Sequence, residues 1–261
     1  MKPLSEEAIR AKLRTTRLGW RIAIAEEVAS TQLEFAARGW EDEPEGVVVL
    51  ADSQTAGHGR MGRTFHAPPG NGVYMSVLLK PTLPPERAVF TTVCAAVAVC
   101  RALHAVAGLD AGIKWVNDIF CNGKKVCGIL AEASFDTGRV VLGIGVNTGV
   151  APTEVADIAT SVGKETGAPV DRNALAAEIL NAFEPLYARL ADDVARRAIL
   201  NEYAARQILI NRRVQVVMPN GNFEAVVLGV ADDGALLVRN DAGERMRLNA
   251  GEVTLSARAW T

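Results

Sequence analysis

Runs and alternations of apolar residues divide the chain into short elements. Behind Ser5, residues 4–13 place apolar side chains at helical spacing, which predicts a short capped helix; residues 20–25 then read as a strand. Ser30-Thr31-Gln32-Leu33-Glu34 has the spacing of a capping box from Thr31 to Glu34, so a helix is expected to open at Ser30 or Thr31 and stop at Gly39. Continuous apolar runs at 47–52 and 73–79 have strand length. Residues 88–106, mostly Ala, Val, Cys and Leu without Gly or Pro, predict a helix buried on most of its circumference and ended by Gly108.

Strands over 113–121 and 125–133 are expected to flank a tight Asn122-Gly123 turn, and 140–146 supplies another strand. Asp171 can cap a helix carrying Leu175, Ile179, Phe183 and Leu186, which Pro185 should kink or break; a polar helix over 193–206 follows. Past residue 209 the texture changes to short β runs separated by Asn220-Gly221, Asp232-Asp233-Gly234 and Asp241-Ala242-Gly243, the pattern of a small barrel. The expected division is 1–208, with a short leader, and 209–261. Hairpin signals with few helices make the larger part α+β, with a mixed, largely antiparallel sheet.

Composition narrows the class. Of 261 residues, 49% are apolar and 22% charged, enough for a sizeable core, so a disordered chain is excluded. The net charge of −2 argues against a general polyanion binder, so no DNA partner is expected, and the leader is too short for a helix-turn-helix domain. A run of about 18 apolar residues is missing and the start lacks a secretory pattern, which points to a cytoplasmic protein without a membrane partner. Four cysteines form no C-x-x-C pair and three histidines no H-E-x-x-H, so buried reduced thiols and no metal site are expected.

Candidate chemistry begins in the loop GHGRMGRTFHAPPGNG. Gly57, Gly59 and Gly62 match a dinucleotide-binding pattern formally, but Pro68, Pro69 and a strand follow where that motif needs a helix. The loop lies in a carboxylate-free stretch, residues 53–85, where about four acids would be average. Glycines let backbone N–H groups approach phosphate oxygens while Arg60 and Arg63 bind them bidentately. The second candidate is Lys114 in Lys114-Trp115-Val116-Asn117-Asp118, a strand lysine able to bridge a carboxylate and a phosphate. Asn117 and Asp118 keep turn-forming, metal-binding and ribose-binding readings.

Together these residues resemble the biotin protein ligase family. The resemblance rests on Ser30-Thr31, on Gln54 with GHGRMGR, on Lys114 to Asp118, on Lys124-Lys125-Val126-Cys127-Gly128-Ile129-Leu130-Ala131-Glu132, on Gly143-Ile144-Gly145-Val146-Asn147, and on Gly251-Glu252-Val253-Thr254-Leu255. It implies a class II synthetase-like catalytic domain followed by an SH3-like barrel. It further implies activation of biotin by MgATP to biotinyl-5′-AMP and transfer to a lysine of a biotin carboxyl carrier domain, with a homodimer common in the family.

Carried over, Ser30, Thr31, Gln32, Gln54, Gly57, His58, Gly59, Arg60, Lys114 and Gly128 would bind biotin. Arg60, Arg63, Phe65, Asn117 and Asn147 would bind ATP or the adenylate, with Lys114 and Arg60 catalytic and Mg2+ entering with ATP. His58 and Met61 stand where the family pattern has Arg, Phe65 where it has Trp, Val116 where it has Pro, and Gln32 where it has Asn. Rival readings are a lipoate or octanoate transferase and a non-catalytic biotin-binding regulator.

Overall fold

In the computed structural model of the chain, the described residues are 2–84, 87–134, 137–149, 155–218, 221–249 and 251–255. Helix α1 (Glu6–Arg10), capped by the Ser5 hydroxyl as expected, precedes strand β1 (Arg21–Val28). Helix α2 (Glu34–Ala37), β2 (Val47–Gln54), β3 (Gly72–Leu79) and the long helix α3 (Val89–Ala107) follow. Next come β4 (Gly112–Lys114), β5 (Asp118–Cys121), β6 (Lys124–Ala133) and β7 (Val140–Asn147). Helices α4 (Val162–Thr166), α5 (Arg172–Tyr187) and α6 (Asp193–Ala205) complete this part.

Seven strands form one sheet in the order β1-β2-β3-β7-β6-β5-β4. Only β1 and β2 are parallel, giving the mixed, largely antiparallel sheet expected from sequence. One face is sealed by α3 and α5. Val73, Met75, Val77, Leu142, Ile144 and Val146 point into that layer, where alternation buries every second side chain. By length and composition α3 could cross a membrane, yet it is the centre of this core, with Val93 to Cys100 fully buried. The opposite face carries only a small apolar patch of Phe35, Val47, Val49 and Leu78. That leaves most of it for chemistry.

The second sheet runs β11-β10-β9-β8-β12, from β8 (Arg213–Met218), β9 (Gly221–Val230), β10 (Leu236–Asn240), β11 (Arg245–Leu248) and β12 (Glu252–Leu255). All its pairings are antiparallel, and among the described residues β11 and β12 do not pair, so the barrel is open. Asn220 of the expected Asn220-Gly221 turn lies outside the described residues. The apolar core is continuous between the two sheets: Val214, Val216, Ala225 and Val227 belong to the same cluster as Val93 and Leu200.

Three expectations are corrected. The helix after Ser30 begins only at Glu34, because the Thr31 hydroxyl and N–H both turn to the Gln54 side-chain oxygen Oε1, at 3.2 and 2.8 Å, instead of capping. The strand expected over 113–121 is two strands folded back at Trp115-Val116-Asn117, with Lys114 opposite Asp118. Helix α5 runs unbroken through Pro185, which is exposed in its last turn, where only one N–H is lost, while the buried Phe183 and Tyr187 rings stack 5.4 Å apart on the inner face.

Candidate functional site

Cross-strand register assembles the site on the open face. Lys114 pairs with Asp118, Asp118 with Gly128, Gly128 with Gly145, and Gly145 with Tyr74, so these five lie in one row across β4, β5, β6, β7 and β3. In the next row Ser76 pairs with Gly143, and Gly143 with Leu130. Three glycines thus replace side chains where the open face would otherwise be filled. The space is used closely. The Phe65 ring rests over Gly145 and Gly128, and the Gln32 amide lies over Gly143, donating weakly to the Leu130 and Val141 carbonyls at 3.5 and 3.4 Å.

One end of this floor is polar. Buried Ser30 and Thr31 sit on the turn after β1, and Thr31 Oγ1 lies 2.8 Å from Ser76 Oγ as well as against Gln54. Gln54 ends β2, where its N–H donates to the Ala67 carbonyl at 3.0 Å and so closes the base of the glycine-rich loop. The loop is a folded-back ribbon: Phe65 N donates to Gly57 O at 2.8 Å and Gly59 N to Arg63 O at 2.7 Å, around a single 3-10 turn at Arg60–Gly62. At its tip Met61 is 68% exposed and left-handed, with φ 56°. His58 Nε2 reaches Glu132 Oε1 at 3.7 Å.

The other end is cationic. Arg60 donates to Asn117 Oδ1 at 3.3 Å and to the Gly251 carbonyl at 3.5 Å, and Arg63 pairs with Glu252 of β12. Asn117 is held by its own amide on the Ile129 carbonyl at 2.7 Å. Lys114 is half-buried with its ammonium 5.5 Å from the Phe120 ring centroid, and burial lowers its pKa, opposed by Asp118 and Glu252. Asn147, at the far end of β7, instead donates to the Thr160 carbonyl at 3.1 Å.

A second lysine belongs here. Lys125 and Gly128 are three residues apart and would point to opposite faces of a regular strand, but the β5–β6 register shifts between Ile119 and Phe120. This bulge sends Val126 and Cys127 into the helix layer and turns Lys125 to the open face, where its ammonium lies beside Gly128. Lys125 Nζ stands 2.7 Å from Asp118 Oδ1 as an ion pair without hydrogen-bond alignment. Lys125, Gly143 and Gly145 are absent from the site residues expected from sequence, and Asp118 has only turn-forming, metal-binding or ribose-binding readings there. Periodicity alone could not supply Lys125, because the bulge that presents it is a register event between two strands.

Known proteins share the sequence pattern of this chain. A sequence model of the biotin/lipoate A/B protein ligase family matches residues 26–147, and one of the biotin protein ligase C-terminal domain matches 209–256. The bifunctional ligase/repressor BirA of Bacillus subtilis is 38% identical over 248 residues, covering 92% of this chain and 76% of that protein. A biotin acetyl-CoA-carboxylase ligase of Mycobacterium tuberculosis is 33% identical over 257 residues, covering 96% and 95%. The chain belongs to the biotin protein ligase family.

Solved structures of biotin protein ligases share the fold. That of Aquifex aeolicus in complex with biotin and ATP matches with a TM-score of 0.78 at 24% identity, over 91% of this chain and 99% of that one. That of Leishmania major in complex with biotinyl-5-AMP matches with a TM-score of 0.61 at 26% identity, over 88% and 99%. Against the biotin protein ligase pattern, the departure at Phe65 now has a place: its ring meets Tyr74 edge-on at 6.2 Å and covers the glycine floor. Val116 sits in the β4–β5 turn, where its carbonyl accepts the Tyr203 hydroxyl at 2.9 Å.

Proposed function

We propose that this chain activates biotin with MgATP to biotinyl-5′-AMP and then transfers biotin to one lysine of a biotin carboxyl carrier domain. The observation that carries the reading is the glycine floor with opposed ends: neutral hydrogen-bonding groups at Thr31 and Gln54, cations at Lys125, Arg60 and Lys114. Biotin has that polarity. Its ureido group would meet Ser30, Thr31 and Gln54, its rings and chain would lie along Gly145 and Gly128 in the place the Phe65 ring takes here, with that ring lifted to cover them, and its carboxylate would reach Lys125. Phe65 is thereby better suited to cover biotin than to stack on adenine.

Biotin's carboxylate is a poor acyl donor because oxide would have to leave. A carboxylate oxygen therefore attacks the α-phosphorus, the bond to the β-phosphate breaks, and pyrophosphate departs. Lys125 screens the repulsion between carboxylate and phosphate, while Arg60 and Lys114, one strand pair further out, stabilise charge on the phosphoryl oxygens. Asn117 aims Arg60, and Arg63, Gly57, His58 and Gly59 supply the rest of the loop. The carrier's amine then attacks the acyl carbon, AMP leaves, and the closed loop excludes water from the anhydride. Mg2+ enters as part of the nucleotide substrate. Asn147 marks the proposed nucleotide side.

The division into residues 1–208 for activation and 209–261 for the second sheet is part of the proposal, as are a cytoplasmic setting and homodimer formation. The test is exchange of labelled pyrophosphate into ATP with biotin or lipoate as the acid. Label enters ATP with biotin; exchange with lipoate alone, or with neither acid, would overturn the reading.

A further inference from the structure

Behind the sheet, on the face opposite the glycine floor, an ion pair between a buried arginine and a half-buried aspartate grips the outgoing end of the ligand loop. Asp52 lies on β2 between Ala51 and Ser53, with the side-chain direction of Val48 and Leu50, toward the helices. Arg172, the first residue of α5, is 3% exposed and donates to Asp52 Oδ1 at 2.6 Å. The other carboxylate oxygen, Oδ2, accepts the Gly70 N–H at 2.9 Å, and Arg172 also donates to the Gly72 carbonyl at 3.3 Å. Its Nη2 reaches the Lys2 carbonyl at 3.2 Å, while its Nε is buried without a hydrogen-bond partner among the described residues.

This pair therefore touches neither the floor nor the cations of the site, yet holds Gly70 and Gly72 on either side of Asn71. Tyr74, under Phe65 on the front face, donates to the Pro68 carbonyl at 3.2 Å, and the Asn71 carbonyl accepts Thr148 and Gly149 N–H groups at 2.8 and 2.9 Å. Two residues before Gly70 the loop is thus clamped from the front; at Gly70 it is clamped from behind. Gly70 has φ +72°, so the chain reverses there in a conformation that a side chain would resist.

We infer that Asp52 and Arg172 are positioning residues for the ligand loop. They fix the exit of the segment that begins at Gly57, and so set how firmly Phe65 and Arg60 are presented to ligand. Bridging two backbone groups by one part-buried, charge-assisted network gives this grip more strength than neutral hydrogen bonds would. The inference rests on the biotin ligase reading for the loop's task, but its first test needs no ligand.

The test is hydrogen exchange on the ligand-free chain, comparing Asp52→Asn and Asp52→Ala with the parent. Asparagine keeps an acceptor for one partner and loses the charge; alanine loses both bonds. Exchange across residues 57–72 is expected to rise about tenfold in Asp52→Asn, the effect of one charged hydrogen bond, with α3 and β6 keeping parental protection. Release of biotinyl adenylate should quicken by a similar factor, with turnover from the saturated complex little changed. Unchanged loop exchange in the folded Asp52→Asn variant, or equal acceleration through α3 and β6, overturns the inference. Should Asp52→Ala not fold, Asp52→Asn alone decides. Failure of pyrophosphate exchange in the parent would instead strike the proposed function and leave this result standing.

Discussion

The two faces of the seven-stranded sheet are made by the same strands and have opposite characters. On β7, Leu142, Ile144 and Val146 enter the helix layer, while Gly143, Gly145 and Asn147 face the site. On β3, Val73, Met75 and Val77 alternate with Tyr74 and Ser76. Each strand therefore carries two messages at period two. One demands bulk to exclude water, and the other demands that bulk be absent so that a ring, an amide or a ligand can lie against backbone. A substitution that is mild on one face should be severe on the other.

The sharpest form of that contrast is on β7. An ideal Cβ at Gly145 would lie 2.6 Å from Phe65 Cζ, so Gly145→Val should displace the ring and lower biotin-dependent pyrophosphate exchange by about a hundredfold with melting near parental. Its neighbour Ile144→Ala should do the reverse, losing about 2–5 kcal/mol of stability while the folded fraction keeps its KM for biotin. Chemical denaturation and exchange kinetics on both variants would decide. Parental exchange by Gly145→Val would remove the floor from the site.

Next in size is the comparison of the two lysines. Lys125→Ala should reduce adenylate formation by about a hundredfold, as loss of a charge at the reacting carboxylate does. Lys114→Arg should act through pH. Burial lowers the Lys114 pKa, so in the parent the alkaline loss of adenylation begins below the ordinary lysine range, and a guanidinium moves that limb upward. Stability has the opposite sign: the unfolded chain holds this proton more tightly, so the lysine's contribution to stability rises with pH through its lowered pKa toward the ordinary one. Coincident alkaline limbs in parent and Lys114→Arg would show that Lys114 does not serve the phosphate.

The smallest effect is expected at His58. Its ring is only 3.7 Å from Glu132, so His58→Arg gains a permanent charge that is partly answered already. Adenylate release should slow about threefold, a modest gain because Glu132 offsets part of the added charge. A dissociation rate equal to the parent's would exclude the residue from phosphate contact.

Sequence made the back face legible and the front face only in part. Continuous apolar runs located β2, β3 and β7, and the uniform Ala-Val-Cys composition located α3 within one residue at each end. The loop from Gly57 to Gly72 was legible from its glycines, arginines and missing acids. Lys125 was not, because its direction depends on a bulge whose cause lies in the pairing of β5 with β6. The Thr31–Glu34 capping box misled for a related reason: a local pattern lost to Gln54, which is close only after folding. Asp52, two residues before Gln54, reads in the sequence as an ordinary strand terminus.

The turn Trp115-Val116-Asn117 bears on how this chain could be recombined with others. Trp115 donates through its indole to the Gly234 carbonyl at 2.9 Å, Val116 accepts from Tyr203, and Asn117 holds Arg60 and Ile129. Three consecutive residues are thus riveted to a hairpin of the second sheet, to α6, and to the glycine-rich loop with β6. A chimera that exchanged residues 209–261 with those of another ligase would break the first rivet and alter the support of the other two. The second sheet is consequently not an interchangeable module, and a functional graft would have to carry this turn and the face of Tyr203 along with it.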